Sequence, residues 1–227
     1  MRDTAYFNSI RYAKAQSLEY SGRVRVEKIL DLIGSKRTVL DVGCGDGSIA
    51  KLIKANGNNV YGLENSSGAV QLAFEKGISV KEFNVEEEKW PDFGFKFDVV
   101  FAGEIIEHLF NTDKFLQNIY SVLKDDGCLV LTTPNIATLG RRIMLLLGIN
   151  PLIETTAREN DAGHIRYFTK ASLVKLLIEN GFMVTRFQSD VINFSNTGRY
   201  YTKLIPKIFP TLGRTLIFKA IKSSKMK

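Results

Sequence analysis

The chain has 227 residues, of which 44% are hydrophobic and 24% are charged, a composition typical of one globular domain. Its two cysteines, Cys44 and Cys128, are too few for a disulfide framework and too far apart for a CxxC metal site, which favours a reducing, cytoplasmic setting. No apolar run reaches the roughly 18 residues that a membrane-spanning helix needs, and residues 1–20 mix charges with aromatics, so we expect no signal peptide there.

The net charge of +7 is concentrated late in the chain. Residues 190–227, here named the basic tail, carry eight basic side chains against Asp190 alone, so residues 1–189 are neutral as a body. Such a segment is a candidate contact for phosphate or for an anionic membrane. A solvated, solubilising end is the alternative. The basic side chains are Arg199, Lys203, Lys207, Arg214, Lys219, Lys222, Lys225 and Lys227.

The first part of the chain predicts alternating strands and helices. Residues 1–35 are expected to form a helical cap before the sheet. Helices are expected to begin at Ser66 or Ser67 and at Asn111 or Thr112, because these residue types cap helices. Alternation of this kind points to a parallel sheet covered on both faces. The strands are predicted over residues 38–43, 59–64, 78–85, 97–103 and 127–133.

The rhythm changes after Pro134. Residues 135–168 combine an apolar stretch, residues 143–153, with a polar loop, residues 154–162, and an insertion of this length is usually a lid or disorder. Thr169 is expected to cap a further helix that Gly181 stops. Two more strands are predicted over residues 182–189 and 215–222, which gives seven in all.

The strongest motif lies where the first predicted strand meets the first helix. It reads Asp41-Val-Gly43-Cys-Gly45-Asp-Gly47. A dinucleotide fingerprint, G-x-G-x-x-G, would need glycine at position 48, where the chain has Ser48. The D-x-G-x-G-x-G form instead resembles motif I of the class I S-adenosylmethionine-dependent methyltransferases, and the resemblance covers about residues 36–189.

This resemblance implies a fold and a set of cofactor contacts. The fold is a single α/β domain over residues 1–227, a Rossmann-like three-layer αβα sandwich with a seven-stranded, mostly parallel sheet. Residues 36–133 are its cofactor-binding core, residues 135–168 a lid inserted after strand 5, and residues 169–222 the C-terminal helix and strands. The cofactor-binding residues are Asp41, Gly43, Cys44, Gly45, Gly47, Glu64, Asn65, Asn84, Val85 and Gly103.

The chemistry of these residue types agrees with that cofactor. Glycines allow a ligand close to the backbone, and a helix start offers N–H groups to a carboxylate. Asp41 supplies a charge opposite to the ammonium of a methionine tail, and Glu64 can accept bonds from both ribose hydroxyls. Many family members have Asp where this chain has Asn84, but an amide oxygen can still accept from an adenine amine. A structural glycine turn without a ligand is the alternative.

A second cluster follows the fourth predicted strand. If the chain turns helical there, Glu104, Glu107 and His108 share one face by the i, i+3, i+4 rule. The chain has one other histidine, His164, in a segment expected to return to the same edge of the sheet. Two glutamates and two histidines form a candidate site for Mg²⁺, Mn²⁺ or another divalent ion.

The E-x-x-E-H pattern with a later histidine resembles two groups of enzymes. These are the ubiquinone-biosynthesis O-methyltransferases and the small-RNA 3′-terminal 2′-O-methyltransferases, in which a metal holds the acceptor hydroxyls. The resemblance implies Glu104, Glu107, His108 and His164 as metal ligands. A Glu-His pair also follows this strand in related enzymes without a metal, where it caps a helix or packs against the acceptor pocket.

The expected reaction is O-methylation. An oxygen acceptor must lie in line with the S–CH₃ bond and lose its proton, either through a metal that lowers its pKa or through His108 or His164 as general base. Glu104 is expected near the transferred methyl group. The predicted catalytic residues are therefore Glu104, His108 and His164.

The expected acceptor is a small or lipid-linked hydroxylated compound. The apolar lid and the basic, aromatic-rich tail together favour a hydrocarbon-bearing acceptor and peripheral membrane contact. Ordinary core packing is the alternative for the lid. RNA is the second candidate acceptor, although the tail lacks a dense arginine or lysine stripe. A protein that binds S-adenosylmethionine and regulates a partner without catalysis is a third interpretation.

Overall fold

The computed structural model describes residues 20–87, 89–151, 163–194 and 199–223. Within these ranges the strands are β1 (Thr38–Val42), β2 (Asn59–Glu64), β3 (Ser79–Glu82), β4 (Phe97–Gly103), β5 (Leu123–Pro134), β6 (Phe182–Ser189), β7 (Ile192–Asn193), β8 (Tyr201–Thr202) and β9 (Thr215–Lys222). The helices are α1 (Tyr20–Ile33), α2 (Ser48–Ala55), α3 (Ser67–Glu75), α4 (Thr112–Val122), α5 (Leu139–Leu146), α6 (Lys170–Glu179) and α7 (Leu204–Ile208). Short 3₁₀ turns lie at Ile106–His108 and Pro210–Leu212.

Seven strands form one sheet in the order β3-β2-β1-β4-β5-β9-β6. The first five pair in parallel, and β9 lies antiparallel between β5 and β6. The predicted seven-stranded, mostly parallel sheet is confirmed. The strand order reverses between β1 and β4, which is where ligands bind in open sheets of this kind.

Side chains alternate between two apolar clusters, one on each face of the sheet. In β1, Val39 points into one cluster, and Leu40 and Val42 point into the other. Helices α1, α2 and α3 cover the Val39 face, and α4 and α6 cover the opposite face. Each fully buried aliphatic or Phe side chain contributes about 1.5–3 kcal/mol. The predicted three-layer arrangement follows from this two-residue alternation.

Two predicted helix caps are present. The Asn111 side chain accepts a hydrogen bond from the Lys114 amide at 2.9 Å, and Thr169 forms a reciprocal capping box with Ser172 at the start of α6. Ser66 occupies the cap position of α3 but makes no side-chain capping bond. Of the expected helical cap, residues 20–33 form α1, and residues 1–19 lie outside the described part of the chain.

Two strand boundaries differ from the prediction. The third strand covers residues 79–82 rather than 78–85, because the Asn84 side chain accepts the Glu86 amide in a local turn. The fifth strand begins at Leu123 rather than at residue 127, and an irregularity in its pairing with β4 separates Leu123 from the later residues.

The basic tail is not a tail. Its residues 215–222 form β9, in the interior of the sheet, as the strand prediction required. The ammonium of Lys219 donates to the Leu32 carbonyl at 2.8 Å, and that of Lys222 donates to the Leu123 carbonyl at 2.7 Å. These two lysines are therefore not part of a solvated end, because their side chains lie along the protein surface and their ammonium groups bind backbone carbonyls.

The insertion after β5 contains an ordered helix, α5. No residue of α5 is buried, so core packing is the wrong interpretation for residues 139–146. The polar loop predicted at residues 154–162 lies outside the described residues. None of the helices in the described ranges is long and apolar enough to cross a membrane.

Candidate active site

The glycine motif forms a tight loop between β1 and α2. Gly43, Gly45 and Gly47 have φ of +71°, +57° and +74°, in the left-handed region that favours glycine. A Cβ atom at Gly43 would lie 2.5 Å from the Ile105 side chain, and one at Gly47 would lie 2.9 Å from the Ala73 backbone. Backbone conformation therefore favours glycine at all three positions, and at Gly47 the close approach of the Ala73 backbone also leaves no room for a side chain.

Asp41 lies in β1 directly before this loop and is 2% exposed. Its Oδ2 atom is buried and makes no hydrogen bond among the described residues. Burial, and secondarily the negative charge of Glu64, raise the pKa of Asp41 from 3.8 to about 8. A buried carboxyl without a donor is a costly arrangement, and a cationic or donor-bearing ligand would relieve it.

Glu64, at the end of β2, organises the loop through its carboxylate. Its Oε2 accepts a hydrogen bond from the Gly45 amide at 2.9 Å. Its Oε1 accepts hydrogen bonds from the amides of Asn65 and Ser66, each at 3.0 Å. A carboxylate has about four acceptor positions, so three amide bonds leave room for roughly one more donor. The side chain predicted to hold the ribose thus also holds the loop in shape.

The remaining predicted cofactor residues have different environments. Asn84 is exposed, whereas Val85 is buried and its carbonyl accepts the Trp90 indole N–H at 3.0 Å. A Cβ at Gly103 would lie 2.5 Å from the Phe101 ring. Cys44 is buried, and burial, followed by the charge of Asp41, raises the pKa of its thiol, so it is not a reactive nucleophile.

The structure brings Glu107, His108 and His164 together. One ligand atom from each lies within 4.8 Å of the others. The Nε2 atoms of His108 and His164 each lie 4.0 Å from Glu107 Oε1, and the two imidazole rings are 4.9 Å apart. Glu107 is 1% exposed, and its Oε2 accepts a hydrogen bond from the Thr133 hydroxyl at 2.9 Å.

The segment that carries His164 is tied to the 3₁₀ turn below it. The amides of Ile165 and Arg166 both donate to the Glu107 carbonyl at 3.0 Å. The Arg166 guanidinium donates to the carbonyls of Leu109, at 2.8 Å, and Phe110. Two histidines 56 positions apart in the chain are thereby held side by side, as the sequence interpretation expected for His108 and His164.

The tautomer of His108 follows from its partner. Its Nδ1 lies 3.1 Å from the Gly163 carbonyl, which can only accept, so Nδ1 carries the proton. The basic position of the neutral ring is then Nε2, on the side of Glu107. A ring oriented in this way by a backbone carbonyl is suited either to proton transfer or to metal ligation.

Glu104 does not join this group, and the predicted helical face is wrong. Glu104 has φ +53°, so the chain leaves β4 through a left-handed residue before the short 3₁₀ turn, and no i, i+3, i+4 face forms. Its amide donates to the Thr132 carbonyl, and its carboxylate pairs with Arg25 of α1 at 3.2 Å. A candidate metal set therefore consists of two imidazoles and one carboxylate, which suits ions such as Zn²⁺ or Fe²⁺ better than Mg²⁺.

Sequence reasoning missed three side chains around these groups. Arg25, Thr133 and Arg166 each contact a predicted site residue or the turn that carries it. Arg166 is two residues after His164, so its position was a usable signal. Arg25 and Thr133 gave none, because only the folded chain brings them to Glu104 and Glu107.

Comparison with known proteins decides the family. A family model described as a methyltransferase domain matches residues 15–186, well over half of the chain. The chain belongs to this methyltransferase family. It is a class I S-adenosylmethionine-dependent enzyme, as the glycine motif predicted.

The enzyme is similar to curated O-methyltransferases. It is 27% identical over 173 residues to a ubiquinone biosynthesis O-methyltransferase of Rickettsia canadensis, with 71% of each chain covered. Several further enzymes of that description match at 29–34% identity, and the chain spans half of their length or less.

Two solved structures show how widely this fold is used. A magnesium protoporphyrin IX methyltransferase from Synechocystis PCC 6803 with bound SAH aligns with a TM-score of 0.60 at 18% identity, covering 97% of this chain and 95% of that one. The [4+2]-cyclase SpnF aligns with a TM-score of 0.62 at 18% identity, covering 89% and 82%. At these identities the likeness establishes the fold alone.

Proposed function

We propose that the enzyme transfers a methyl group to a hydroxyl oxygen of a small or lipid-linked acceptor, held beside Glu107, His108 and His164. The observation that carries this proposal is the group of two imidazoles and one buried carboxylate just beyond the carboxyl end of β4. That strand is next to β1, which leads into the glycine loop. The names of the curated relatives support an oxygen acceptor.

The residues around the glycine loop fit the cofactor. S-adenosylmethionine, when bound, supplies an activated methyl group on a sulfonium centre. Asp41 offers a buried carboxyl without a hydrogen-bond donor to pair with the ammonium group, and Glu64 keeps capacity for a ribose hydroxyl. Gly43, Gly45 and Gly47 keep the backbone open to the ligand. Asn65, Asn84, Val85 and Gly103 complete the proposed cofactor set, as does the backbone of Cys44.

The histidines are proposed to handle the acceptor's proton. His108 has its proton on Nδ1, so its Nε2 can accept the proton of a hydroxyl placed beside it. The buried Glu107 carboxylate, 4.0 Å away, would stabilise the imidazolium that results. His164, at the same distance from Glu107, is the second candidate base.

A divalent metal is the alternative means of activation. Glu107, His108 and His164 would hold it, and it would lower the pKa of the acceptor hydroxyl. Glu104 stays outside this set because it pairs with Arg25. The proposed role of Glu104 is to face the transferred methyl group from the end of β4.

The double variant His108→Gln/His164→Gln tests the proposal. We expect methyl transfer to a hydroxylated acceptor to fall by about 10²–10⁴-fold, while the affinity for S-adenosylhomocysteine stays within about twofold. Calorimetric titration of the wild type with Zn²⁺, Mn²⁺ and Mg²⁺ separates metal from general-base activation. Full activity of the double variant would contradict both forms of the proposal.

Two other interpretations differ in their readout. A binding protein without catalysis would bind the cofactor and methylate no hydroxylated compound. The structural neighbour SpnF, which is named as a [4+2]-cyclase, shares this fold although its name is not that of a methyltransferase. An RNA 2′-O-methyltransferase would use the same Glu107, His108 and His164 group on a terminal ribose. Methylation of short RNA with a free 3′ end, compared with methylation of small phenols, distinguishes these acceptors.

A further inference from the structure

Two charged side chains from distant parts of the chain bind the backbone just after the 3₁₀ turn. Residues 109–111, here named the turn segment, follow His108 directly and lead into helix α4. The Glu86 carboxylate accepts hydrogen bonds from amides of this segment, and the Arg166 guanidinium donates to its carbonyls. Because both the donors and the acceptors of one short segment are bound, its position is fixed from two elements at once.

Glu86 links the turn segment to the cofactor side of the molecule. Its Oε1 atom accepts hydrogen bonds from the amides of Phe110, at 2.7 Å, and Asn111, at 3.4 Å. The Glu86 amide donates to the Asn84 side chain at 3.1 Å. Since Asn84 belongs to the proposed cofactor set, one residue connects the loop after β3 with the turn that carries His108.

Arg166 links the turn segment to the other histidine. Its Nε donates to the Leu109 carbonyl at 2.8 Å, and its Nη2 donates to the Phe110 carbonyl. The planar fork of an arginine suits two adjacent acceptors, whereas a lysine offers a single ammonium group. Arg166 is two residues after His164, so its contacts also fix the backbone on which His164 lies.

The relation between the two histidines depends on this backbone. The amides of Ile165 and Arg166 donate to the Glu107 carbonyl, each at 3.0 Å. The Gly163 carbonyl lies 3.1 Å from Nδ1 of His108 and sets the tautomer of that ring. A displacement of residues 163–166 would therefore change the partner of His108 as well as the place of His164.

We propose that Glu86 and Arg166 are positioning residues, which hold His108 and His164 in a fixed relation to the cofactor loop through the turn segment. Neither side chain is among the proposed catalytic or cofactor-binding residues. The alternative is that both only satisfy backbone groups at the surface, in which case their loss changes stability alone. The chemical use of the histidines rests on the proposed function, whereas the placement of their rings does not.

Nitrogen-15 NMR of the imidazole rings tests the placement without turnover. The untagged chain has two histidines, and single His→Gln variants assign their signals. At about pH 8 an imidazole of ordinary pKa is neutral, and the spectrum shows which nitrogen carries the proton. The wild type should have His108 protonated on Nδ1, Arg166→Met should show both tautomers, and Arg166→Lys should restore the first in part. Arg186→Met is the matched control, because the Arg186 guanidinium pairs with Asp31, outside the site.

Glu86 is tested by tautomer and by cofactor affinity. Since Oε1 alone accepts both amides, Glu86→Gln keeps an acceptor there and Glu86→Met removes it. In calorimetry Glu86→Met should bind S-adenosylhomocysteine about tenfold more weakly, and Glu86→Gln within about threefold of the wild type. Arg166→Met should bind it within about twofold. Glu87→Met is the matched control, because Glu87 is also exposed and bonds through its main chain.

Three outcomes would overturn the proposal. The first is a wild type in which His108 carries its proton on Nε2. The second is a single unchanged His108 tautomer in both Arg166→Met and Glu86→Met, whatever their melting temperatures, since it would leave the two side chains with a role in stability alone. The third is an equal loss in Glu86→Gln and Glu86→Met, which would assign the effect to charge instead of to the acceptor position.

These readouts are independent of methyl transfer. Methylation of catechol is assayed in parallel, so an enzyme with the expected tautomers and no turnover would count against the proposed function alone. Circular dichroism and thermal unfolding check that every variant is folded.

Discussion

Arg25 in α1 and Glu104 at the end of β4 form an ion pair, with 3.2 Å between Nη1 and Oε2. Glu104 adopts a left-handed backbone conformation that non-glycine residues rarely adopt. The Arg25 Nε and Glu104 Oε1 atoms are buried and make no hydrogen bond among the described residues. The pair therefore fixes the N-terminal helix over the edge of the sheet where the glycine loop lies, and it leaves polar atoms available there.

Arg25→Met should loosen α1 while the rest of the fold is retained. The amides of residues 20–33 should exchange with solvent faster, because the helix loses its ionic contact with β4. A partly exposed ion pair contributes about 0–1 kcal/mol, so the free energy of unfolding should change by no more than that. Hydrogen exchange measured by mass spectrometry checks this, with Glu27→Gln on the exposed side of α1 as the control. Unchanged exchange in the Arg25 variant would show that the pair does not hold the helix.

Asp41 should make the stability fall as pH rises. Since its pKa is raised from 3.8 to about 8, the folded protein keeps a proton on this carboxyl that the unfolded chain releases between those values. The free energy of unfolding therefore decreases through that window, by up to about 1.4 kcal/mol per pH unit. Asp41→Asn removes this dependence, so the free energy of unfolding of the variant should rise relative to that of the wild type as pH increases. Urea unfolding at several pH values across the window measures this difference.

Asp46 offers the matched control. Burial alone would raise the pKa of Asp46, but hydrogen bonds from Lys76 and Ser48 outweigh burial and lower it. Its stabilisation is complete above the unfolded pKa and is lost only as pH falls below that value. Asp46→Asn should therefore lower the stability by the same amount throughout the window used for Asp41. A pH-independent difference for both variants would refute the account of Asp41.

Cofactor binding should ionise Asp41. If the carboxyl pairs with an ammonium group, it must lose its proton on binding below about pH 8. Calorimetry of S-adenosylmethionine binding in buffers of different ionisation enthalpy measures that proton. The wild type should release protons that Asp41→Asn does not, and equal release from both proteins would place the ammonium elsewhere.

Glu64→Gln should disrupt the glycine loop. Both carboxylate oxygens of Glu64 accept hydrogen bonds from backbone amides. A glutamine has only one acceptor oxygen, so its NH₂ group would face at least one of these N–H donors. Hydrogen bonds to a charged group contribute about 1.5–3 kcal/mol each, so we expect a loss of stability of about that size and at least tenfold weaker cofactor binding. Glu82→Gln is the control, because Glu82 is the exposed register partner of Glu64 on β3 and should behave like the wild type.

Gly47→Ala separates packing from backbone conformation. Its φ of +74° matches the +77° of Gly34, but a Cβ at Gly47 would lie 2.9 Å from the Ala73 backbone, whereas a Cβ at Gly34 has open space. Gly34→Ala should cost roughly 1–2 kcal/mol from the left-handed conformation alone. Gly47→Ala should cost clearly more in thermal unfolding and should also weaken cofactor binding. Equal losses would show that α3 yields to the added methyl group.

The sheet could be predicted because its signals are local. A short β-branched apolar run in β1 and a glycine loop at its end are both visible in ten residues of sequence. The proximity of His108 and His164 was also expected, from the rule that parallel strands end at one edge. The exposure of α5 was not, since an apolar helix looks the same in sequence whether it is buried or presented.

Long-range polar contacts could not be predicted from the sequence. The pairing of Arg25 with Glu104 joins residues 79 positions apart, and nothing near either residue indicates it. The count of basic residues in the chain's last segment also gave no sign that Lys219 and Lys222 contact the folded protein rather than solvent. A lysine whose stem lies along a strand and whose ammonium caps a carbonyl contributes the same charge as a solvated one.

The position of β9 has a consequence for biosynthesis. Its pairing partners β5 and β6 are both translated before it, and it fills the place between them. Until residues 215–222 leave the ribosome, both of those strands have an open edge, which is the form in which nascent chains are most exposed to misassociation. The five parallel strands that include the glycine loop can therefore pair earlier in translation, but β5 stays an exposed edge and β6 stays separate from them until this single late strand is made.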